Sequence, residues 1–83
     1  MESERRRRSS DAIIKVAEKV YLENYSHRNA DAVIADLLFW DFQYDGENYL
    51  SYFDYNPPTS GETAKAYHLF MKRKAENRGK PSR

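Results

Sequence analysis

The chain has 83 residues, with 14 lysines and arginines against 13 aspartates and glutamates, and no cysteine. This length allows one small domain, which can have neither disulfide bonds nor cysteine-ligated zinc to support it. The sequence has no apolar stretch near the roughly 18 residues of a transmembrane helix and no signal-peptide core, so we expect a cytoplasmic protein without membrane partners.

The charges are segregated along the chain. Between Asn29 and Ala64 there is no lysine or arginine, yet this segment holds seven acids and eight of the twelve aromatic residues. Cations are concentrated at the two ends, in the run Arg5 to Arg8 and after Met71. Charge segregation of this kind informs on the partners of a protein more than on its fold.

The first predicted element is a helix from about Asp11 to Asn24. Ser9, Ser10 and Asp11 supply N-capping side chains just before it. Its apolar residues recur at helical spacing, at Ile13, Val16, Ala17 and Val20. We expect residues 1–8 to form a flexible basic arm.

A second helix is predicted after the turn-rich segment 25–29, with Asn29 as its N-cap. Its apolar stripe comprises Ala30, Val33, Ile34, Leu37 and Leu38. Two amphipathic helices joined by a short turn form a helical hairpin or a helix-turn-helix corner.

After Leu38 the pattern favours a β-hairpin. Apolar residues occupy every second position from Leu38 to Tyr44, and Asp45-Gly46 supplies a turn. The predicted cross-strand pairs are Tyr44 with Tyr49, Phe42 with Ser51, Trp40 with Phe53, and Leu38 with Tyr55. In the alternative, the second helix continues to about Tyr44, Gly46 is its left-handed cap, and a short aromatic helix or coil follows.

A last helix is predicted from about Ser60 to Asn77. Thr59 and Glu62 form a capping box at its start, and Gly79 ends it. Its predicted apolar face comprises Ala64, Tyr67, Phe70, Met71 and Ala75. Residues 79–83 are expected to be a disordered basic tail.

These elements predict a mostly helical α+β fold. Residues 9–78 form one compact domain in the order helix, helix, β-hairpin, helix. The alternative fold is an all-α bundle of three or four helices.

No pattern for catalysis or cofactor binding is present. His27 and His68 lie in no nucleophile motif, and we expect His27 to be solvated and His68 to be a partly buried structural histidine. His27 and Asp31 are too few ligands for a zinc site. Asp41 and Asp54 are expected on the solvent face of the hairpin, outside any cleft. We therefore predict no enzymatic activity, no cofactor and no metal.

The aromatic residues between positions 39 and 55 indicate an interface. Eight aromatic residues within 17 positions exceed what so small a core can bury, and tyrosine and tryptophan are enriched in interfaces. The interleaved acids favour a basic partner surface. The predicted partner-binding residues are Trp40, Asp41, Tyr44, Tyr49, Tyr52, Asp54 and Tyr55. We predict a small inhibitor or regulator, of the accessory type found in phages and mobile elements, that docks this face on another protein.

The alternative function is a regulatory module that binds nucleic acid. Four consecutive arginines can neutralise phosphates, and cations of the last helix can add to them. The residues of this alternative are Arg5, Arg6, Arg7, Arg8, Lys72, Arg73, Lys74 and Arg78. The central acids count against it. A homo-oligomer that pairs hairpin edges between copies is a further expectation.

Overall fold

The structure, a computed structural model, describes residues 9–79, with side chains described up to Glu76, and all secondary structure in this range is helical. In chain order the elements are helix α1 (Ser10–Asn24), helix α2 (Ala30–Asp36), a π-helical turn (Leu37–Asp41), helix α3 (Phe42–Tyr44), a 3-10 helix (Gly46–Phe53) that is kinked at Tyr49, and helix α4 (Ser60–Gly79). Because α2, the π-helical turn and α3 follow one another without a break, we call the run 30–44 the middle helix.

The predicted helix starts are confirmed. Ser9 Oγ and Asn29 Oδ1 each accept a hydrogen bond from the backbone amide three residues on, at 3.1 and 2.9 Å. The capping box is also present, since the Glu62 amide donates to Thr59 Oγ1 at 3.1 Å and the Thr59 amide donates to Glu62 Oε1 at 2.8 Å. These caps satisfy amides that the first helical turn leaves without partners.

One apolar core lies between α1, the middle helix and α4. Its buried members are Ile13, Ile14, Ala17, Val20, Ile34, Leu37, Leu38, Phe42, Phe53, Ala66 and Phe70. The stripes predicted for the first two helices are confirmed, with Val16, Ala30 and Val33 only partly buried at their edges. Spacings of three and four residues put these side chains on one face of each helix.

The predicted α+β fold is wrong, because the described residues contain no strand, and the chain adopts the all-helical alternative. The alternating residues from Leu38 to Tyr44 also form two pairs, Leu38 with Phe42 and Trp40 with Tyr44. The members of each pair are four residues apart, which is the spacing of a helix. Leu38 and Phe42 are buried, whereas Trp40 and Tyr44 are exposed. A two-stranded ribbon without further strands is only marginally stable, while a continued helix buries one pair in the core and keeps its backbone hydrogen-bonded.

The π-helical turn sets the direction of the side chains of the middle helix. Within it the Phe42 amide donates to the Leu37 carbonyl, five residues back. A π-helical turn contains more residues than the 3.6 of an α-helical turn. Across it, residues at intervals of four therefore lie nearly on one line parallel to the axis of the middle helix. Asp36, Trp40 and Tyr44 therefore form an exposed row.

The 3-10 helix folds back over the end of the middle helix. Phe53, only 1% exposed, packs its ring edge-on against Phe42 with 5.2 Å between centroids. The Tyr49 ring also lies 5.2 Å from Phe42. These contacts replace the predicted pairs of Phe42 with Ser51 and of Phe53 with Trp40.

The chain reverses after the 3-10 helix through two left-handed residues. Asp54 and Tyr55 have φ values of 55° and 62°, and the Tyr55 amide donates to the Leu50 carbonyl at 2.7 Å. Gly46, the left-handed cap of the helical alternative, has no positive φ. The left-handed conformation thus falls on residues with side chains, where it is energetically unfavourable.

Helix α4 turns only part of its predicted face to the core. Thr63, Ala66 and Phe70 are buried, whereas Met71 and Ala75 are exposed. Of the predicted residues Phe70 is buried, and Tyr67 is half-buried and packs against the core. A pattern based on apolar residues misses Thr63, whose hydroxyl donates to a backbone carbonyl four residues back at 3.0 Å and is thereby satisfied inside the protein.

Helix α4 runs antiparallel to the middle helix. Lys74 Nζ forms an ion pair with Asp31 Oδ2 at 2.7 Å, near the start of the middle helix. The Tyr67 ring, seven residues earlier in α4, contacts Phe39, which lies eight residues later in the middle helix. A second ion pair, Arg73 Nη2 with Asp11 Oδ1 at 2.8 Å, joins α4 to α1.

The predicted basic arm, residues 1–8, and residues 80–83 lie outside the described residues. Gly79, predicted as part of the tail, is the last residue of α4, which extends two residues beyond the predicted end at Asn77. Within residues 9–79, no helix combines the length and the apolar character needed to cross a membrane.

Candidate interaction surface

Four ring-to-ring contacts join five side chains into one strip on the surface, which we call the aromatic strip. It begins on the middle helix, where the Tyr44 and Trp40 centroids are 5.7 Å apart and those of Trp40 and Phe39 are 4.7 Å apart. It crosses to α4 through Phe39 and Tyr67 at 5.1 Å, and it ends with Tyr67 and His68 at 5.6 Å. Two helices therefore hold one continuous aromatic surface.

Most of the aromatic strip is open to solvent. Tyr44 is 70% exposed, Trp40 53% and Phe39 39%. Tyr67 is half-buried, and His68 is exposed rather than partly buried as predicted. Leaving apolar area in water is unfavourable by roughly 25 cal/mol per Å². Contiguous exposed apolar side chains typically mark interaction sites.

Charged side chains of opposite sign lie on the two sides of the aromatic strip. Asp36 lies in the exposed row with Trp40 and Tyr44 on the middle helix. Lys65 and Lys72, three residues before and four after His68, lie with it on one exposed face of α4. Within residues 9–76 none of Asp36, Lys65 and Lys72 forms an ion pair.

A groove of about 770 Å³ opens beside the middle helix, and Asp36 belongs both to this groove and to the edge of the aromatic strip. Its other lining residues include Val33, Leu37 and Asp41 of the middle helix and the turn 25–29. The turn is held in place by Tyr21, whose hydroxyl donates to the Ser26 and Arg28 carbonyls at 3.1 and 2.7 Å.

Asp41 and Tyr49, both predicted to bind a partner, bind each other. The Tyr49 hydroxyl donates to Asp41 Oδ2 at 2.8 Å. Burial, this hydrogen bond and the charge of Asp41 raise the pKa of Tyr49 well above its ordinary value of 10, because the phenolate would be desolvated and would face a carboxylate. The pair thus joins the 3-10 helix to the middle helix.

We expect the Tyr49→Phe substitution to weaken the loss of stability at alkaline pH. The pKa of Tyr49 is higher in the folded than in the unfolded chain, so its contribution is complete below about pH 10 and is lost as the pH rises further. Urea unfolding followed by circular dichroism between about pH 9 and pH 11 should give a shallower decline for Tyr49→Phe than for the wild type. Tyr55→Phe, at an exposed position, should keep the wild-type slope, and equal slopes in all three proteins would contradict the expectation.

Tyr52 is tied to α1. Its hydroxyl donates to Glu23 Oε1 at 2.7 Å, and this hydrogen bond raises the pKa of Tyr52. Asp54 and Tyr55 are exposed at the reversal after the 3-10 helix. Of the seven predicted partner-binding residues, the structure therefore brings only Trp40 and Tyr44 into the aromatic strip, and the binding role of all seven stays a prediction.

Sequence reasoning missed Phe39, Tyr67, His68 and Asp36 as members or neighbours of an interface. The apolar pattern places Tyr67 on the core face of the last helix, and Phe39 belongs to the predicted aromatic cluster without being among the seven predicted partner-binding residues. Spacings of four residues from Asp36 to Tyr44 were the available signal, but they are meaningful only if this segment is helical.

The cations of the nucleic-acid alternative differ in their surroundings. Lys72 is exposed, whereas Arg73 and Lys74 are engaged in ion pairs with α1 and the middle helix. Arg5 to Arg8 and the Arg78 side chain lie outside the described part of the structure. A phosphate would have to compete with Asp11 and Asp31 for the two paired cations.

Among the described residues, no three histidine, cysteine, aspartate or glutamate side chains are placed to hold a metal ion. In comparisons with protein-family models, with curated proteins and with solved structures, nothing matches this chain.

Proposed function

We propose that this chain is a small, non-enzymatic interaction protein that docks its aromatic strip on a basic surface of a partner protein inside the cell, and that it inhibits or regulates the partner by covering that surface. The observation that carries the proposal is the continuous contact of rings across two helices, from the exposed Tyr44 to the half-buried Tyr67.

Preorganisation of the rings supports binding. The rings stand on two helices that share one core, so little conformational freedom is left to lose when a partner docks. Tryptophan and tyrosine bury large areas with few rotatable bonds and dominate interface energetics. Trp40 is the residue that we expect to contribute most, since it contacts both Phe39 and Tyr44.

The exposed acids of the central segment, which contains no lysine or arginine, support a basic partner. Within the described residues, Asp36, Asp45, Glu47 and Asp54 form no ion pair and are exposed, and Asp36 lies beside the aromatic strip. Such acids accelerate association with a cationic surface and repel phosphates. Because Arg73 and Lys74 are paired with acids of the same chain, this arrangement favours a protein partner over nucleic acid.

The proposal is tested by affinity capture from a cell lysate of the source, with and without nuclease, followed by mass spectrometry. We expect the wild type to capture a discrete protein in both samples. The double variant Trp40→Ala, Tyr44→Ala should lose it, because truncating interface hot spots typically costs 2 kcal/mol or more, about 30-fold in affinity. Leu22→Ala removes an apolar side chain that is 66% exposed on α1, away from the aromatic strip, and should behave as the wild type.

Circular dichroism provides the folding control, since both substituted side chains are more than half exposed and the helical signal should not change. Equal capture by the double variant would exclude the aromatic strip as the docking surface. Capture that disappears with nuclease would favour the nucleic-acid alternative instead.

A further inference from the structure

We propose that two copies of this chain associate through the aromatic strip in a two-fold symmetric dimer. The choice of occupant rests on charge complementarity. The strip lies between Asp36 on the middle helix and Lys65 and Lys72 on α4, where the exposed Glu76 lies one turn beyond Lys72, so the pair of opposite charges that carries the argument is Asp36 and Lys72. A second copy offers a lysine to Asp36, an aspartate to Lys72, and the same apolar rings between them. The net charge of +1 on each chain gives little overall repulsion between the two copies.

We place the two-fold axis in the interface, parallel to the helices. The middle helix of each copy then faces α4 of the other copy, and residues that face each other lie at the same position along the axis. The antiparallel contacts fix those positions. Lys74 is level with Asp31. Lys72, two residues before it, is therefore level with residues 33–34, within one helical turn of Asp36. Asp36 of each copy thus meets Lys72 of the other copy, and the contact occurs twice.

The centre of the strip is apolar under the same operation. Phe39 and Tyr67, in ring contact, lie nearest the axis and meet their own counterparts. Lys65, two residues before Tyr67, is level with residues 40–42, which places it against Trp40 of the other copy. An ammonium group over an indole face is a favourable cation–π contact.

The dimer covers the aromatic strip, which is also the surface proposed for partner docking. Dimerisation and partner binding therefore compete, and the dimer is a form of the protein that cannot bind the partner. Only this regulatory consequence rests on the proposed function. The dimer itself is tested with purified protein and no partner, so its failure and the failure of partner docking are distinguishable.

The first measurement is sedimentation of the full chain between about 10 μM and 1 mM, together with fluorescence of Trp40, the only tryptophan of the chain. We expect the mass to double with rising concentration. The Trp40 emission should shift to shorter wavelength, and its quenching by acrylamide should fall, with the same midpoint. A mass that stays monomeric to 1 mM, or a dimer in which Trp40 is quenched as in the monomer, would overturn the proposal.

The second measurement exchanges the charges. Asp36→Lys alone and Lys72→Glu alone should each weaken self-association at least about tenfold, because each places like charges in contact twice. An equimolar mixture of the two variants should restore dimers, since both contacts of the mixed pair join opposite charges. Glu18→Lys, an exposed charge reversal on α1, is the matched control and should dimerise as the wild type.

Restoration by mixing cannot arise from a structural defect in either variant, since neither variant repairs the fold of the other. Single variants that dimerise as the wild type would exclude the pairing of Asp36 with Lys72. Single variants that are weakened and not restored by mixing would exclude the two-fold arrangement.

Discussion

Replacing Phe53 with alanine is expected to lower the free energy of unfolding by about 3–5 kcal/mol. The side chain is 1% exposed and packs edge-on against Phe42, so its removal leaves a cavity between the 3-10 helix and the middle helix. A domain of this size has a total stability of roughly 4–10 kcal/mol. Urea unfolding followed by circular dichroism should therefore show a variant that has lost much or all of its margin.

Tyr55→Ala is the matched control for Phe53→Ala. Tyr55 is 74% exposed, and substitutions at such positions usually change stability by less than about 0.5 kcal/mol. Its left-handed backbone is disfavoured equally for tyrosine and alanine, since both carry a Cβ atom. The predicted hairpin placed Phe53 and Tyr55 on the same apolar face. Comparable losses for the two variants would contradict the helical arrangement described above.

Ala66→Leu is expected to destabilise the protein by about 1–3 kcal/mol through overpacking. Ala66 is fully buried in α4, which packs directly against α1, where Ala17 is also fully buried. A longer side chain at this position must push the helices apart or leave its preferred rotamers. Thermal unfolding of Ala66→Leu and of the wild type measures the loss.

The matched control for Ala66→Leu lies on the same helix. Ala75 is exposed, although the apolar pattern assigned it to the core face. Leucine and alanine have similar helix propensities, so we expect Ala75→Leu to change stability by less than about 0.5 kcal/mol. A larger loss for Ala75→Leu than for Ala66→Leu would show that α4 turns its predicted face to the core.

The starts of all three long helices could be predicted because capping is local. The side chain of Ser9, Asn29 or Thr59 reaches an amide only three residues away, so no distant contact is needed. The apolar stripes of α1 and α2 were equally accessible, since they follow from helical periodicity and contain few polar residues.

The segment after Leu38 could not be assigned in the same way. A spacing of two residues contains the spacing of four, so the same residues fit a strand and a helix. The helix prevails because Leu38 and Phe42 are buried against the rest of the core, to which Phe53 adds from outside the segment. Thr63 in α4 presents a related problem, since a hydrogen bond within its helix makes a polar side chain suitable for burial.

Composition alone predicted that several aromatic side chains must be exposed and that acids would accompany them, because so small a core cannot bury eight rings and the segment contains no cation. Which rings meet depended on the folded chain. Phe39 and Tyr67 are far apart in sequence. They are in contact because the middle helix and α4 are each oriented about their own axis so that these two side chains meet. The orientation of the two helices follows from how all the helices pack around the core and from the π-helical turn. Neither of these features can be read from a few neighbouring residues.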